Sequence, residues 1–208
     1  MRKEKTWKML LALGLVLGMS ELEAPFVVQA EQSLVYDDGQ AHNEDHDFTG
    51  VSGEDIQISI KSGSTLTGGI SGGTNNIDFQ MDNGHHVGVF GTNIVESGTS
   101  GDVTLDMMNG STWDGDIQLN TTMNSNLKLT SQLADSILHG SIQGSNSMVA
   151  MDLQNSQWTG EISMASTVFD APTDVNISLE DQSQWTGDLY FVNNGAVNIS
   201  VDNSEWVG

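Results

Sequence analysis

Residues 156–162 have the sequence SQWTGEI, and residues 183–189 have the sequence SQWTGDL. In each stretch a Trp-x-Gly motif is followed by an acidic residue and then by an aliphatic residue. Two interpretations fit this duplication: a recognition motif that occurs twice, or a scaffold whose structural unit recurs along the chain. The residues before each motif favour the scaffold, because they repeat as well.

Each Trp-x-Gly motif is preceded by three apolar residues at alternating positions. The same frame fits three places where Leu or His replaces Trp, so seven copies of the unit cover residues 56–208, all with the glycine. The residues at the Trp position, spaced 20 to 27 apart, are Leu66, His86, Trp113, Leu138, Trp158, Trp185 and Trp206. The apolar residues before them are Ile56, Ile58 and Ile60; Ile77, Phe79 and Met81; Val103, Leu105 and Met107; Leu127 and Leu129; Val149, Met151 and Leu153; Val175, Ile177 and Leu179; and Val197, Ile199 and Val201.

A period of 20 to 27 residues is typical of solenoid coils and is too short for propeller blades. The spacers are rich in Asn, Ser, Thr and Gly, which favour turns over helices. Alternation predicts strands with one apolar face, and stacking pairs each strand with its equivalents in neighbouring coils. We therefore predict an all-β fold: a right-handed parallel β-helix of about seven coils, on the order of 30 Å long.

The frame assigns each residue of the unit a place in the coil. Trp158, Gly160 and Ile162, like their equivalents, are predicted to share one inward row. Residues 92–102 and 165–174 form longer arcs, each predicted to add a third short strand or a protruding loop that carries binding specificity. A short polar residue after each triplet is predicted to adopt left-handed backbone at a corner. These corner residues are Ser62, Asn83, Asn109, Asn155, Asp181 and Asn203.

The N-terminal residues differ from the repeats. Residues 1–30 combine a basic start, an apolar run that is too short to span a bilayer, and small residues at the end. This pattern is typical of a signal peptide that is cleaved after Ala30. Residues 31–54 are acidic and show little alternation. They are predicted to form a flexible leader or an N-terminal cap for the β-helix of residues 55–208.

The mature chain is strongly acidic. Four of the six Lys and Arg residues lie in the predicted signal peptide, which leaves 25 Asp and Glu residues against Lys61 and Lys128. Binding to nucleic acid or anionic lipid depends on Lys and Arg, so the composition excludes both functions. The chain has no Cys, so packing and backbone pairing rather than disulfides must stabilise an exported fold.

Two sets of residues are candidates for chemistry. Asp116, Glu161 and Asp188 follow the repeat glycine, and the last two would lie one strand spacing apart, which suits a glycosidase dyad or a calcium site. Alternation places them opposite the core, so we predict a solvated row instead. The second set has side chains that ligate zinc or calcium, without the spacing of known metal motifs. It comprises His42, Glu44, Asp45, His46 and Asp47.

His85 and His86 are a further candidate pair. His86 occupies the Trp position of its copy, which favours an inward structural role over catalysis. The sequence has no Gly-x-Ser-x-Gly motif and no Cys nucleophile. Pectate-lyase-like β-helix enzymes stabilise a sugar carboxylate with Arg, Lys or calcium, and the mature chain has no Arg. We therefore predict no enzyme activity, no catalytic residues, no cofactor and no metal site.

Taken together, the apolar triplets, the Asn or Ser corner, the Trp-x-Gly motif, the predicted signal peptide and the lack of Cys resemble a known family. It is the passenger domains of Gram-negative autotransporters, the pertactin-like and AidA-like adhesins of type V secretion. The resemblance covers about residues 56–208. In that family a C-terminal β-barrel in the outer membrane carries the passenger outside. This sequence ends at Gly208 inside a repeat, so we expect a fragment of a longer protein or a truncated product.

The resemblance implies an exported protein at the surface of a Gram-negative bacterium or outside the cell, active in adhesion. Its expected partners are host surface proteins or glycans, extracellular matrix, or neighbouring bacterial cells, with no nucleic acid. Membrane attachment is expected only through a barrel that is not part of this sequence. The alternative functions are a passive stalk or spacer and, ranked lower, a secreted polysaccharide-degrading enzyme.

Overall fold

The structure is a computed structural model that describes residues 32–50, 52–94, 100–121, 126–166, 173–192 and 195–208. The predicted signal peptide lies outside the described residues. Within these ranges every regular element is a β-strand, and the strands form three parallel sheets. The all-β prediction is confirmed for this part of the chain.

The sheets are called A, B and C in the order in which the chain enters them. Sheet A contains β1 (Gln32–Tyr36), β4 (Ser52–Lys61), β7 (Thr74–Asp82), β10 (Ser100–Met108), β13 (Asn126–Ala134), β16 (Ser147–Gln154), β19 (Val175–Glu180) and β22 (Val197–Val201). Sheet B contains β2 (Ala41–Asn43), β5 (Thr65–Thr67), β8 (His85–Val87), β11 (Thr112–Asp114), β14 (Ile137–His139), β17 (Gln157–Thr159), β20 (Gln184–Thr186) and β23 (Glu205–Val207). Sheet C contains β3 (His46–Asp47), β6 (Ile70–Ser71), β9 (Phe90–Ile94), β12 (Ile117–Thr121), β15 (Ile142–Ser145), β18 (Ile162–Ala165) and β21 (Leu189–Val192).

The chain passes through sheets A, B and C in turn and then returns to sheet A one strand further along, which confirms the predicted parallel β-helix. The described strands form seven complete triplets, and β22 and β23 begin an eighth coil. The third strand of each coil, in sheet C, is present even where the connection back to sheet A is shortest. These short connections follow β6 and β15. The third strand is therefore part of the unit and does not depend on the long arcs. The middle of those arcs, at residues 95–99 and 167–172, lies outside the described residues.

The core lies between the three sheets. In sheet A the triplet residues point inward, and Val149, Met151 and Leu153 are at most 3 % exposed. Trp158 of sheet B and Ile162 of sheet C close the same coil and are at most 1 % exposed. The coils between the two ends of the described β-helix repeat this arrangement, so their buried side chains form continuous rows whose removal from water stabilises the fold.

The apolar pair predicted as Leu127 and Leu129 is incomplete, and the inward triplet of its coil begins two residues later, at Leu129. Strand pairing aligns Leu129 with Val149 and Leu133 with Leu153, so that Ser131 takes the middle inward place of its coil. Ser131 is 1 % exposed, and its hydroxyl donates to the carbonyl oxygen of Leu105 at 3.2 Å. A serine can replace an aliphatic residue here because its hydroxyl is hydrogen-bonded. A search for alternating apolar residues does not detect such a serine.

The segment predicted as an acidic leader or cap contains β1, β2 and β3, which lie at one end of the three sheets. Its described part is therefore a coil of the β-helix rather than a flexible leader. The repeat frame missed this coil because His42 and His46 take the places of Leu66 and Ile70. Glu44 takes the place of the repeat glycine, and its carbonyl lies under Gly68.

The corner after sheet A is left-handed in seven coils, with φ between 46° and 56°. All six predicted corner residues are confirmed there, and Asp135 is the seventh. Short polar side chains tolerate this conformation better than bulky ones because they can hydrogen-bond locally. Neighbouring corner side chains also pair between coils, as Asn155 Nδ2 does with Asp135 Oδ1 at 2.5 Å.

A ladder of buried serine hydroxyls lies just beyond this corner, and the sequence analysis did not predict it. Ser156 Oγ donates to the carbonyl oxygen of Gln154 at 2.8 Å and accepts from the backbone N–H of Ser136 at 3.0 Å. The backbone N–H of Ser156 in turn donates to Ser183 Oγ at 3.1 Å. Each serine therefore satisfies backbone groups of two coils at the point where the strands are interrupted.

The repeat glycine lies at the corner between sheets B and C. The sequence analysis placed it in an inward row together with the Trp and the aliphatic residue, and this part of the prediction is wrong. Gly88, Gly115, Gly140 and Gly187 have φ between 152° and 156°. A Cβ at any of them would lie well under 3.0 Å from the carbonyl oxygen of the glycine one coil earlier. The close neighbour that excludes a side chain is thus the backbone of the previous coil.

We predict that Gly140→Ala lowers the free energy of unfolding by about 3 kcal/mol or more, because the new methyl group overlaps the Gly115 carbonyl and φ is unfavourable. Urea unfolding followed by circular dichroism measures the change in midpoint. The matched control is Gly91→Ala in β9, whose Cβ would meet no atom within 4 Å. Equal midpoints for the two variants would contradict this account of the corner.

Three tryptophans stack along sheet B. The ring centroids of Trp158 and Trp185 are 4.7 Å apart, and those of Trp185 and Trp206 are 4.9 Å apart, with nearly parallel planes in both pairs. Each indole N–H donates to the repeat glycine of the previous coil, as Trp158 Nε1 does to the Gly140 carbonyl oxygen at 2.9 Å. The duplicated SQWTG motif is therefore part of the scaffold, in which it links neighbouring coils.

We expect Trp158→Ala to destabilise the protein by about 3 to 5 kcal/mol, the range for a large aromatic residue in a core. Trp206→Ala should cost clearly less, because Trp206 is 40 % exposed and has one stacking neighbour among the described rings. Unfolding midpoints in urea compare the two variants. If Trp158→Ala unfolds at the same denaturant concentration as the unaltered chain, the structural role of the motif is wrong.

Candidate binding surface

The outer face of sheet A bears a groove of ≈ 530 Å³ across β13, β16, β19 and β22. The groove exists because side chains at outward positions near the middle of these strands are small, whereas inward neighbours such as Met151 and Ile177 belong to the core. Its outward-facing lining consists of Thr130, Gln132, Ala150, Asp152, Asn176, Ser178, Asn198 and Ser200.

Asp152 is the charged side chain of this groove. Its Oδ1 atom is buried and has no hydrogen-bond partner among the described residues. The nearby hydroxyl of Ser178 donates to Glu180 Oε1 at 3.0 Å instead. Burial raises the pKa of the Asp152 carboxyl, and the negative charge of Glu180 raises it further. The Asp152 carboxylate is therefore partly desolvated, and its buried Oδ1 atom is an unsatisfied acceptor beneath the groove surface.

A second carboxylate on the same face has a similar environment. Asp106 lies on β10, and burial raises its pKa, with a further contribution from the charge of Asp78. Strand pairing places Asp106 opposite Gln132, and Gln132 opposite Asp152. The two carboxylates therefore share one outward row and lie two coils apart, about 10 Å at the usual strand spacing.

A smaller groove of ≈ 250 Å³ lies on the same face nearer the N-terminal end. Its polar groups are paired with one another. Asn76 Nδ2 donates to Asp55 Oδ1 at 2.8 Å, and the backbone N–H of Asp102 donates to Asn76 Oδ1 at 3.0 Å. Gln80 Nε2 donates to Asp78 Oδ2 at 2.9 Å. Its acceptors are therefore better satisfied than Asp152.

A broader depression of ≈ 710 Å³ lies beside the left-handed corner of the last coils, near Gln182 and Asn203. The side chains there are mostly exposed, and Gln184 Nε2 donates to Glu205 Oε2 at 3.2 Å. The groove at Asp152 is the stronger candidate, because it combines a concave shape with ordered polar side chains such as Asn176 and Asn198.

The predicted row of acids after the repeat glycine is divided between two environments. Asp116 Oδ1 accepts from the backbone N–H of Ser141 at 2.8 Å and has a role in the corner. Glu161 and Asp188 are exposed and lie in neighbouring coils, and Asp188 Oδ2 accepts from the Tyr190 hydroxyl at 3.1 Å. Exposure on the outside of the β-helix agrees with the predicted solvated row.

The acidic and histidine-rich set near the N-terminus forms a polar layer over the first coil. The Tyr36 hydroxyl donates to Glu44 Oε1 at 3.0 Å and lies 2.6 Å from His46 Nε2. His42 Nε2 lies 2.9 Å from Asp38 Oδ1. Within the described ranges, no group of three or more His, Cys, Asp and Glu side chains is arranged to hold a metal ion. The members of the set instead bond to residues outside it: Asp45 Oδ1 accepts from the backbone N–H of Gly69 at 2.7 Å, and Asp47 Oδ1 accepts from the backbone N–H of Thr49 at 2.9 Å.

His86 occupies the inward Trp position, as the sequence predicts. It is completely buried and lies against Trp113, with ring centroids 4.2 Å apart. Neither ring nitrogen has a hydrogen-bond partner of ordinary geometry in the described structure. Burial lowers the pKa of His86 to about 4, and the backbone of Gly88 and Leu66 opposes this shift only in part. His86 is therefore neutral in the folded protein at pH 7.

We predict that His86 makes the fold sensitive to acid. The unfolded chain binds a proton at His86 near pH 6.5, whereas the folded chain does so near pH 4. The contribution of neutral His86 is therefore complete above pH 6.5 and is lost as the pH falls toward 4. It amounts to about 3 kcal/mol for the full shift.

The variant His86→Leu tests this prediction, since Leu66 occupies the same place in the preceding coil and Leu138 occupies it two coils further on. Urea unfolding of both proteins at several pH values between 7 and 4 gives the difference in free energy. We expect the variant to gain stability relative to the unaltered chain as the pH falls through this range. A difference that stays constant with pH would contradict the assignment of the acid sensitivity to His86.

Among the residues that the structure describes, no helix is long and apolar enough to cross a membrane. Comparison of the chain with family models, curated proteins and solved structures gave no significant match.

Proposed function

We propose that this chain is an exported surface protein whose β-helix acts in adhesion. Its partners would be host surface proteins or glycans, extracellular matrix, or neighbouring bacterial cells. The observation that carries the proposal is the groove of ≈ 530 Å³ on the outer face of sheet A. A concave surface with a few polar groups directed into it is the usual form of a recognition site.

The construction of the groove supports a binding role. Its floor consists of strands that are hydrogen-bonded to neighbours in both directions, except at β22, which pairs with β19 alone among the described strands. The positions of Ala150, Asn176 and Asn198 are fixed by this pairing. A surface that is held rigid before binding loses little conformational entropy when a partner docks.

Polar side chains in the groove are also held in defined orientations. Asn198 Nδ2 donates to Asn176 Oδ1 at 2.9 Å, so the two amides form a short ladder on adjacent strands. The amide groups keep further donor and acceptor capacity for a ligand, since each amide has two N–H donors and an acceptor oxygen. Such groups give specificity to a site whose area is otherwise small.

The alternative function is a passive spacer. The observation that favours it is the uninterrupted order of the three sheets through all described coils, which makes a stiff rod. The two functions differ in one measurable property: a spacer holds other parts of a protein at a distance and has no partner on its own faces.

The test is saturable binding of the purified, fluorescently labelled chain to epithelial cells, to matrix-coated surfaces and to bacterial cells. A variant with the groove filled, Ala150→Tyr with Asn198→Tyr, should bind at least about tenfold more weakly, equivalent to ~1.4 kcal/mol. The matched control, Thr159→Tyr with Thr186→Tyr, adds the same rings at exposed positions of sheet B. It should change affinity by less than about twofold.

Absence of saturable binding to every one of these surfaces would contradict adhesion and favour the spacer. Equal loss of binding in the two variants would place the adhesive surface elsewhere on the molecule. Unfolding midpoints of all three proteins show whether a change in binding reflects a change in folding.

A further inference from the structure

We propose that Asn109 is a site of spontaneous deamidation in the folded protein, and that the reaction weakens the corner between β10 and β11. This inference is independent of adhesion, because it concerns the chemistry of one corner of the β-helix and needs no partner. The chain contains three Asn-Gly sequences, which begin at Asn83, Asn109 and Asn194. The structure describes the first two, and it places them in contrasting environments.

Deamidation of an Asn-Gly sequence begins when the backbone nitrogen of the glycine attacks the side-chain amide carbon of the asparagine. At Asn109 the Gly110 nitrogen gives up its proton to solvent and forms a bond to Cγ. The bond between Cγ and Nδ2 breaks, and the leaving nitrogen takes up a proton and departs as ammonia. Water then opens the five-membered imide at either carbonyl, which gives aspartate or isoaspartate. One water is consumed and one ammonia is released, with no change of oxidation state.

The backbone of Asn109 already has the sign of φ that the imide favours. Asn109 and Gly110 have φ of 56° and 79°. The imide ring fixes ψ of its residue as in the first central residue of a type II′ turn, where φ is positive as well. A flip of the peptide unit between the two residues therefore brings the nitrogen to Cγ, and glycine tolerates the φ that this flip imposes on Gly110.

The corner at Asn109 leaves room for this flip. Asn109 and Gly110 are both exposed, and a Cβ at Gly110 would meet no atom within 4 Å. The flip breaks one hydrogen bond, from the Gly110 N–H to the carbonyl oxygen of Asp135 at 2.8 Å. Because Asp135 is exposed too, water can take the place of this donor while the Gly110 nitrogen reacts.

Asn83 has the same side chain and a left-handed φ of 51°, but its glycine is enclosed. Gly84 is buried, and a Cβ there would lie 2.2 Å from the carbonyl oxygen of Ile60. The Gly84 N–H donates to the buried Ser111 Oγ at 3.2 Å. A flip at Gly84 would leave both groups away from water and without a partner, which costs free energy. The fold should therefore protect Asn83 and leave Asn109 reactive.

The reaction at Asn109 changes a contact between coils. Asn109 Nδ2 donates to Asp82 Oδ1 at 2.7 Å, and Asp82 ends the strand that pairs with β10. In the product this donor has left as ammonia, and a carboxylate that is ionised at pH 7 faces Asp82 instead. Isoaspartate also places the side-chain methylene in the main chain, beside strands that are held in register on both sides. Both products should weaken the stacking of this coil on its neighbour.

Peptide mapping by mass spectrometry tests the site. It measures the rates of deamidation at Asn109 and Asn83 in the same molecules, incubated in mildly alkaline buffer either folded or unfolded in guanidinium chloride. In the unfolded chain neither glycine is enclosed, so the two rates should agree within about threefold. In the folded chain Asn109 should react at least about tenfold faster than Asn83.

Equal rates at the two asparagines of the folded chain would overturn the proposal. A fall of the Asn109 rate by more than about tenfold on folding would overturn it too, because the corner would then protect this residue. Neither measurement needs a variant, so both can be made even if substitutions at the corner impair folding.

The matched variant for the structural consequence is Asn109→Ser. It gives the corner the sequence Ser-Gly-Ser that Ser62, Gly63 and Ser64 form two coils earlier, where φ at the first two residues is 56° and 77°. Serine has no amide, so this corner cannot deamidate. After parallel incubation and unfolding in urea, the midpoint of the unaltered chain should fall as Asn109 is converted, and that of the variant should not. Equal falls in both proteins, or no fall after conversion, would overturn the weakening of the corner.

Discussion

The close stacking of one coil on the next is the constraint on which the rest of this structure depends. It is tightest at the corner between sheets B and C, where the carbonyl of one repeat glycine occupies the space that a Cβ of the next would need. With glycine at this corner, strands on both sides can pair in register through the whole described helix. The stacked Trp side chains use the same carbonyls as hydrogen-bond acceptors, so core packing and backbone spacing are coupled.

In-register stacking brings like residues together, and the consequences differ between the inside and the outside of the helix. Inside, repetition is favourable: Trp158 stacks on Trp185, and Ser136, Ser156 and Ser183 form a hydrogen-bonded ladder. His86 is the exception, because neither nitrogen of this inward imidazole has a hydrogen-bond partner of ordinary geometry in the described structure. The fold accepts it only in the neutral form, which links the stability of the N-terminal coils to pH.

Outside, the same register brings acidic residues close to one another. Asp78 lies near Asp106, and Glu180 lies near Asp152, and in both pairs the charge of one carboxylate raises the pKa of the other. Lys61 and Lys128 lie on the same face, opposite Asp82 and Asp102, but form no ion pair within the described residues. The outer face of sheet A therefore stays acidic, and it is the surface on which the proposal of adhesion rests.

The sequence by itself determined the repeat, the parallel β-helix, the left-handed corner and the inward place of Trp158, because each depends on a local pattern that recurs in every copy. Tertiary structure decided what depends on the neighbouring coil. The repeat pattern does not include the first coil, where Glu44 stands at the glycine position. No described strand lies beneath this position, so a side chain can be accommodated there. The row that joins Asp106 to Asp152 is set by strand register across coils of unequal length, which spacing along the chain does not reveal.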